Sequence, residues 1–184
     1  TWGMQCIGMF RSFQDIDEYF EKYHITSYMG MSKDQVRPGM LIYKDVRGAQ
    51  HTDENGKVYY DGPDGIVDRD NDQVQLGHRG NIYGFTLNAG GSWKGLSFQL
   101  QFGAHWGGYT TVPSQALTAS EIEYTNMPSF WNPDKVFVYN DIYDGSGNLV
   151  QAANRQGALP NPAYSINNVA SSFWRISAAQ VTLN

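Results

Sequence analysis

The chain has 184 residues and a formal net charge of −5, a length that suits one domain with a sizeable core. Charged residues are only 17% of the chain, against about 25% in ordinary soluble domains, whereas aromatic residues reach 14% and glycines number 20. The negative charge and the lack of a Lys/Arg cluster exclude a typical nucleic-acid-binding protein. No apolar run reaches about 18 residues, so no transmembrane helix is predicted.

Residues 1–44 predict strands around one short helix. Residues 1–10 are apolar and interrupted by glycine, which favours a strand. Ser12 with Asp15 is a weak form of the capping box, and Ile16, Tyr19 and Phe20 then share one helical face. We therefore expect a helix near residues 13–22, a turn at residues 38–39 and a strand over residues 40–44.

Residues 45–79 form an acidic, turn-rich loop. Its Asn55-Gly56 pair predicts a β-hairpin. Four carboxylates make calcium the one metal to consider, although the ligand set of an EF-hand loop is incomplete and a solvated acidic turn is the alternative. The candidate Ca²⁺ ligands are Asp64, Asp68, Asp70 and Asp72.

Residues 82–106 alternate cleanly between apolar and polar positions. The two-residue turn Lys94-Gly95 places Trp93 opposite Leu96, so the apolar faces of both strands point the same way. Strands of about 10 residues, tilted by about 40°, span the apolar band of a membrane barrel of about 25 Å. We therefore interpret this segment as a transmembrane hairpin. The polar residues expected to face the lumen are Thr86, Asn88, Gln99, Gln101 and His105.

The same alternation has a second explanation. A soluble β-sandwich would bury the apolar face and leave the polar face in water. Strands of soluble domains are usually about 5 to 6 residues long, which favours the membrane interpretation.

Residues 107–171 are long, polar and without clear periodicity, which indicates a functional surface loop with short strands of its own. Its aromatic side chains are candidates to contact a ligand or partner, or else to pack the loop against its neighbours. These residues are Tyr124, Phe130, Trp131 and Tyr139. Residues 172–184 resemble the start of a late strand, in which a β-bulge near Ala178 would explain a change of phase.

The sequence offers no sign of an enzyme. It contains no G-x-S-x-G, H-E-x-x-H or P-loop motif. Pairs such as Glu121 and Glu123 suit a glycosidase only if they lie at the right separation in space, and surface charge is the simpler explanation. We expect no catalytic residue.

Several segments, in order along the chain, resemble the SusC/RagA family of TonB-dependent outer-membrane transporters. Residues 37–46 (RPGMLIYKDV) resemble the family's PGDIKYKDVNGDG segment, and residues 64–77 are similar to its DGVIDDNDRTVIG segment. Residues 82–88 (IYGFTLN) match its YGFNLN strand. Residues 172–183 resemble its late SFLRLKNVTLSY strand.

This resemblance implies an all-β fold. The chain would supply C-terminal strands and extracellular loops of a plugged transmembrane β-barrel of about 22 strands, without the plug domain. It implies import of glycan oligosaccharides or oligopeptides across the outer membrane of a Gram-negative cell. The implied partners are the remainder of the barrel, outer-membrane lipid, a SusD-like surface lipoprotein and TonB, which acts through the absent plug.

The sequence is also compatible with two other functions. One is a soluble calcium- or carbohydrate-binding β-domain, in which the apolar hairpin face is a buried core. The other is an outer-membrane structural protein without a transport role. The absence of a signal peptide at Thr1 leads us to expect a mature or internal fragment.

Overall fold

The structure is a computed structural model that describes residues 1–113, 116–117 and 130–183. Strands predominate in these ranges, which confirms the all-β class at a coarse level, and they form seven separate sheets of two or three strands. The described residues do not form a closed barrel. The strands are β1 (Trp2–Met4), β2 (Cys6–Met9), β3 (Ser27–Tyr28), β4 (Leu41–Tyr43), β5 (Gln50–Thr52), β6 (Val58–Tyr60), β7 (Ile66–Val67), β8 (Gln73–Gln75), β9 (Tyr83–Trp93), β10 (Leu96–Trp106), β11 (Tyr109–Thr111), β12 (Ile142–Tyr143), β13 (Leu149–Gln151), β14 (Arg175–Ser177) and β15 (Gln180–Leu183).

The helix expected near residues 13–22 is present as α1 (Phe13–Lys22). The capping box forms as predicted: the Asp15 amide donates to the Ser12 hydroxyl at 3.1 Å, and the Asp15 carboxylate accepts from the Ser12 amide at 3.2 Å. Ile16, Tyr19 and Phe20 are the buried face. Among the described residues, no helix is long and apolar enough to cross a membrane.

The main core lies between α1, the strand pair β2–β4 and residues 166–169. Tyr28 organises its centre, because its hydroxyl donates to the Leu41 carbonyl at 2.6 Å and accepts from the Tyr43 amide at 2.8 Å. A hydroxyl buried in an apolar interior needs such partners to offset its desolvation.

Asn167 joins the far end of the chain to this core. Its fully buried side chain accepts from the Leu41 amide at 2.8 Å and donates to the carbonyls of Gly39 at 2.9 Å and Asn161 at 2.7 Å. One amide therefore holds together backbone segments more than 120 residues apart in sequence.

The largest sheet orders its strands β15-β10-β9. Trp93 lies opposite Leu96, as the two-residue turn predicts, and all 11 residues of β9 pair with β10. Lys94 and Gly95 have φ values of +47° and +85°, the positive pair that a type I′ turn requires.

β10 and β15 continue into the neighbouring pair β11–β14 with a shift of register. Three residues, Trp106 to Gly108, separate the pairing segments on one side, whereas only Ala178 and Ala179 separate them on the other. The extra residue therefore lies on the strand opposite Ala178, whereas the sequence predicts a bulge near Ala178 itself. Gly107 absorbs it with φ of +88°.

The two remaining loop segments contain short hairpins. β5 and β6 flank the Asn55-Gly56 turn, as predicted, with Gly56 at φ of +79°. The segment expected to be a long surface loop contains β11 and the β12–β13 pair. Its later part, residues 161–169, packs into the main core.

Candidate functional site

The apolar side chains of the β15-β10-β9 sheet all lie on one face. Val181 and Leu183 pair directly with Ala104 and Phe102, so β15 extends the face that the hairpin begins. These side chains are exposed to solvent: Trp93 is 69% exposed, Leu96 70% and Val181 69%. Soluble monomers rarely expose a contiguous apolar surface of this extent. The large side chains of this face are Tyr83, Phe85, Leu87, Trp93, Leu96, Phe98, Leu100, Phe102, Trp106, Val181 and Leu183.

Aromatic side chains mark both ends of this apolar face. Tyr83 and Trp106 are paired residues at the end remote from the turn, with ring centroids 6.2 Å apart. Trp93 stands at the turn end, where the Lys94 ammonium lies 4.7 Å from its ring centroid. An amphipathic ring beside a charge suits the boundary between an apolar layer and water.

The five predicted lumen-facing residues lie together on the opposite face. Asn88 pairs directly with Gln101, whereas Gln99, Thr86 and His105 each stand opposite a glycine. Of these three glycines, Gly84 leaves the least room for a side chain, because a Cβ there would come 2.2 Å from the Nδ1 atom of His105. The sheet thus presents a polar surface on which the His105 ring leans across Gly84.

The aromatic residues predicted to contact a ligand or partner differ in their surroundings. Trp131 is 3% exposed, packs 5.7 Å from the ring of Trp174 and donates its indole N–H to the Ala116 carbonyl. Phe130 packs against the same pair. This burial leaves Trp131 no open face for a ligand, so the packing alternative describes it better.

Tyr139 is half-buried and already has two neighbours. The Phe13 ring meets it edge-on at 5.5 Å, and the Arg155 guanidinium lies 4.4 Å from its centroid. Tyr124, the remaining candidate, lies outside the described residues.

The acidic loop uses its carboxylates to hold its own backbone. Asp72 is fully buried and accepts from the amides of Val46 and Asp68. Asp68 accepts from the amides of two later residues in its turn, and Asp64 accepts from one, while Asp70 is exposed.

These carboxylates do not surround a common centre. No group of three or more His, Cys, Asp or Glu residues is arranged to hold a metal ion in residues 1–113, 116–117 and 130–183. Calcium binding by this loop therefore stays a prediction.

A carboxylate outside the predicted set has the more unusual environment. Asp45 is 7% exposed; its Oδ2 atom accepts from the Gly65 amide at 2.7 Å, whereas its Oδ1 atom has no hydrogen-bond partner. Burial raises the pKa of this carboxyl above its usual value, and the nearby carboxylates of Asp72 and Asp64 raise it further, whereas hydrogen bonds from the backbone amides of Gly65 and Asp64 lower it.

Asp45 lines an open cavity of about 460 Å³. The sequence analysis does not single out this residue, because Asp45 lies two residues after β4 and differs in no visible way from the other acids of the loop. Its position after the fully buried Leu41 and Tyr43 was the only available signal. The other lining residues are Gln5, Ile7, Tyr19, Tyr23, Lys44 and Pro63.

No family model, curated protein or solved structure matches this chain. The function must therefore be argued from the residues and their geometry.

Proposed function

We propose that this chain supplies wall strands and loops of an outer-membrane β-barrel, and that the barrel is a TonB-dependent importer of glycan oligosaccharides or oligopeptides. The membrane part of the proposal is carried by one observation: an 11-residue hairpin exposes an apolar face with aromatic side chains at both ends. The importer part is supported by the resemblance to SusC/RagA-type transporters.

The dimensions of the hairpin support the membrane location. Eleven residues at about 3.3 Å each reach about 36 Å, and a tilt of about 40° reduces this to about 28 Å, close to the apolar band of barrel proteins. Tyr83, Trp93 and Trp106 then fall at the two interfaces, where aromatic girdles belong.

The free edge of β9 supports a barrel. In the part of the chain that the structure describes, β9 pairs only with β10, which leaves 11 residues without a partner on the other side. A long, flat, apolar edge promotes aggregation in water, whereas a closed barrel pairs every strand on both sides. We therefore expect a further strand of the same barrel to pair with β9.

The polar face supports a lumen. Side chains on the inner wall of a large barrel are polar and wet, and the Gln99, Gln101 and His105 side chains offer donors and acceptors suited to sugar hydroxyls or peptide groups. In this proposal a SusD-like lipoprotein caps the extracellular side, and TonB acts through the plug domain of the importer.

Quenching by brominated phospholipids tests the membrane location. The full chain is reconstituted in vesicles, and the tryptophan fluorescence lost on bromination is compared among W93F, W106F and W2F variants. We expect W93F and W106F each to remove part of the quenching. W2F is the matched control, because Trp2 is also exposed but lies outside the hairpin, on β1. A folded monomer in detergent-free buffer, with no quenching in vesicles, would refute the proposal.

Uptake in cells tests the importer separately. The gene that encodes this chain is disrupted, and uptake of labelled oligosaccharides and oligopeptides is measured. We expect one class to be lost and to be restored by the intact gene. Normal uptake of both classes, with the protein located in the outer membrane, would favour the structural role without transport.

A further inference from the structure

We propose that the guanidinium group of Arg175 binds the phosphate of an anionic lipid headgroup in the outer leaflet. The site consists of Arg79, Tyr109 and Arg175, which lie just beyond the paired aromatic residues Tyr83 and Trp106 at the end of the apolar face. The inference rests on the proposed function, because it requires the long hairpin to lie in lipid.

The alternation of the last two strands places Arg175 on the same side of the sheet as the apolar face. Val181 belongs to that face, and Ser177 and Arg175 precede it by four and six residues, so they are on the same side. On the partner strand, Tyr109 pairs with Ser177 and therefore shares this side. The two side chains meet there, because the Arg175 guanidinium lies 4.1 Å from the centroid of the Tyr109 ring.

The height of this pair matches the headgroup layer. Once the bulge at Gly107 is allowed for, Tyr109 stands two residue steps beyond Trp106, and Arg175 stands two steps further, opposite Thr111. At about 3.3 Å per residue and a tilt of about 40°, these levels are about 5 Å and about 10 Å beyond the aromatic boundary. The polar headgroup region extends about 5 to 8 Å beyond the hydrocarbon on each side. A guanidinium stacked on Tyr109 therefore lies at the depth of lipid phosphates.

The local charge favours an anion. The segments that meet here are residues 76–82, 106–112 and 174–180, and they contain two arginines and no Asp or Glu. Arg79 forms a backbone bridge with Tyr109, so its exposed side chain starts at the same level. In the described part of the chain, neither arginine has an acidic partner within ion-pair distance. Basic residues at a membrane surface attract anionic lipids.

The Arg175 side chain is held ready for a phosphate. Its Nη1 atom donates to the Leu76 carbonyl, and the Tyr109 ring supports one face of the guanidinium plane. The side chain is nevertheless exposed, which leaves the donors of its other edge for an anion. A guanidinium fork matches two oxygens of a phosphate. The lipid's acyl chains would then continue down the apolar face beside Trp106, which a free anion lacks.

The experiment compares two brominated lipids as quenchers of tryptophan fluorescence. Brominated phosphatidic acid or brominated phosphatidylcholine is added at the same mole fraction to phosphatidylcholine vesicles that contain the full chain. Phosphatidylcholine is the reference because its headgroup carries a cation of its own. We expect phosphatidic acid to be preferred by about tenfold or more, the usual effect of a hydrogen bond between charged groups. The preference should fall in W106F, which lacks the tryptophan nearest the site, and remain in W93F, because Trp93 lies at the turn end.

Three variants test the residues of the site. R175Q should lower the preference by about tenfold, for the same reason. R79Q should lower it several-fold, as expected for one cation at a membrane surface, and it keeps the test valid if R175Q fails to fold. K57Q is the matched control and should leave the preference unchanged, because Lys57 is an exposed cation next to the β5–β6 turn, outside the three segments.

The outcomes separate this inference from the membrane proposal. Quenching by brominated phosphatidylcholine reports insertion alone, so its absence in the unaltered chain would refute the proposed function. Normal quenching by that lipid without a preference for phosphatidic acid would overturn only the headgroup site. The site is also overturned if R175Q and R79Q keep the full preference, or if K57Q lowers it equally. Inorganic phosphate at the concentration of phosphatidic acid should leave the preference intact, and its complete loss would replace the lipid by free phosphate as the occupant.

Discussion

Leu100 and Gln101 are adjacent on β10 and point to opposite faces of the sheet, so they form a matched pair for testing which face meets lipid. Leu100 pairs with Ala89, and Gln101 pairs with Asn88. At about 3.3 Å per residue, Leu100 lies about 13 Å from Leu96 and about 20 Å from Trp106. Both residues are therefore near mid-height of the proposed membrane span.

The perturbation is arginine at each position in turn. On the lipid face near the bilayer midplane, arginine lowers the free energy of unfolding of a barrel by about 2 to 4 kcal/mol, so L100R should be destabilised by this amount. Q101R places the same charge on the polar face and should change stability by less than about 1 kcal/mol, because that face is wet.

The assay is urea unfolding of the full chain from phosphatidylcholine vesicles, followed by tryptophan fluorescence. If Leu100 instead faced water, L100R would change the free energy of unfolding by only about 0.5 kcal/mol, as surface substitutions do. Equal stability of L100R and Q101R in vesicles would therefore refute the assignment of the two faces.

Three further predictions concern the packed body. N167A should lower the free energy of unfolding by about 3 kcal/mol in a denaturant titration, because three hydrogen bonds are lost and their buried partners stay unpaired; an unchanged midpoint would show that the amide does not hold the core. G65A should lower the free energy of unfolding more than the control G56A does. Both backbones have positive φ, but only at Gly65 would a Cβ come within 2.5 Å of another atom, the His24 carbonyl oxygen. Equal losses of stability would show that the clash adds nothing to the backbone strain of about 1 to 2 kcal/mol that both sites share. Partial burial alone would raise the pKa of the Asp15 carboxyl, but hydrogen bonds from Ser12 and the neighbouring amides hold that pKa below its usual value. The stability that Asp15 contributes should therefore be present above about pH 3.9 and be lost as pH falls through the lower folded-state pKa; thermal melts of D15N that show the same acid dependence would contradict this.

The elements with strong local signals were predictable from the sequence. The helix needed only Ser12, Asp15 and the spacing of its apolar residues, and the long hairpin needed only its alternation and the Lys94-Gly95 turn. These signals act over a few residues, so neighbouring positions in the chain carry most of the information.

The contacts between distant segments were not predictable. Nothing near Asn167 shows that its side chain will meet Leu41, and nothing near Trp131 shows that it will pack on Trp174. The change of phase near Ala178 predicts a β-bulge there, but the sequence of a single strand does not show which of the two paired strands carries the extra residue. Asp45 stood out only after its unpartnered oxygen and the cavity were known, since both depend on the three-dimensional arrangement.

The hydrogen bonds of Asn167 also determine when the packed body can be completed during synthesis. The hairpin of residues 82–106 leaves the ribosome before residue 167 exists, so its apolar face emerges while the body is still open. Contacts over such sequence separations form slowly, and exposed strands aggregate while they wait. Completion of the body around Asn167 does not cover this face, because Trp93, Leu96 and Val181 stay exposed in the finished fold. The long hairpin is thus complete early in synthesis, whereas the packed body is complete only once residue 167 has been added.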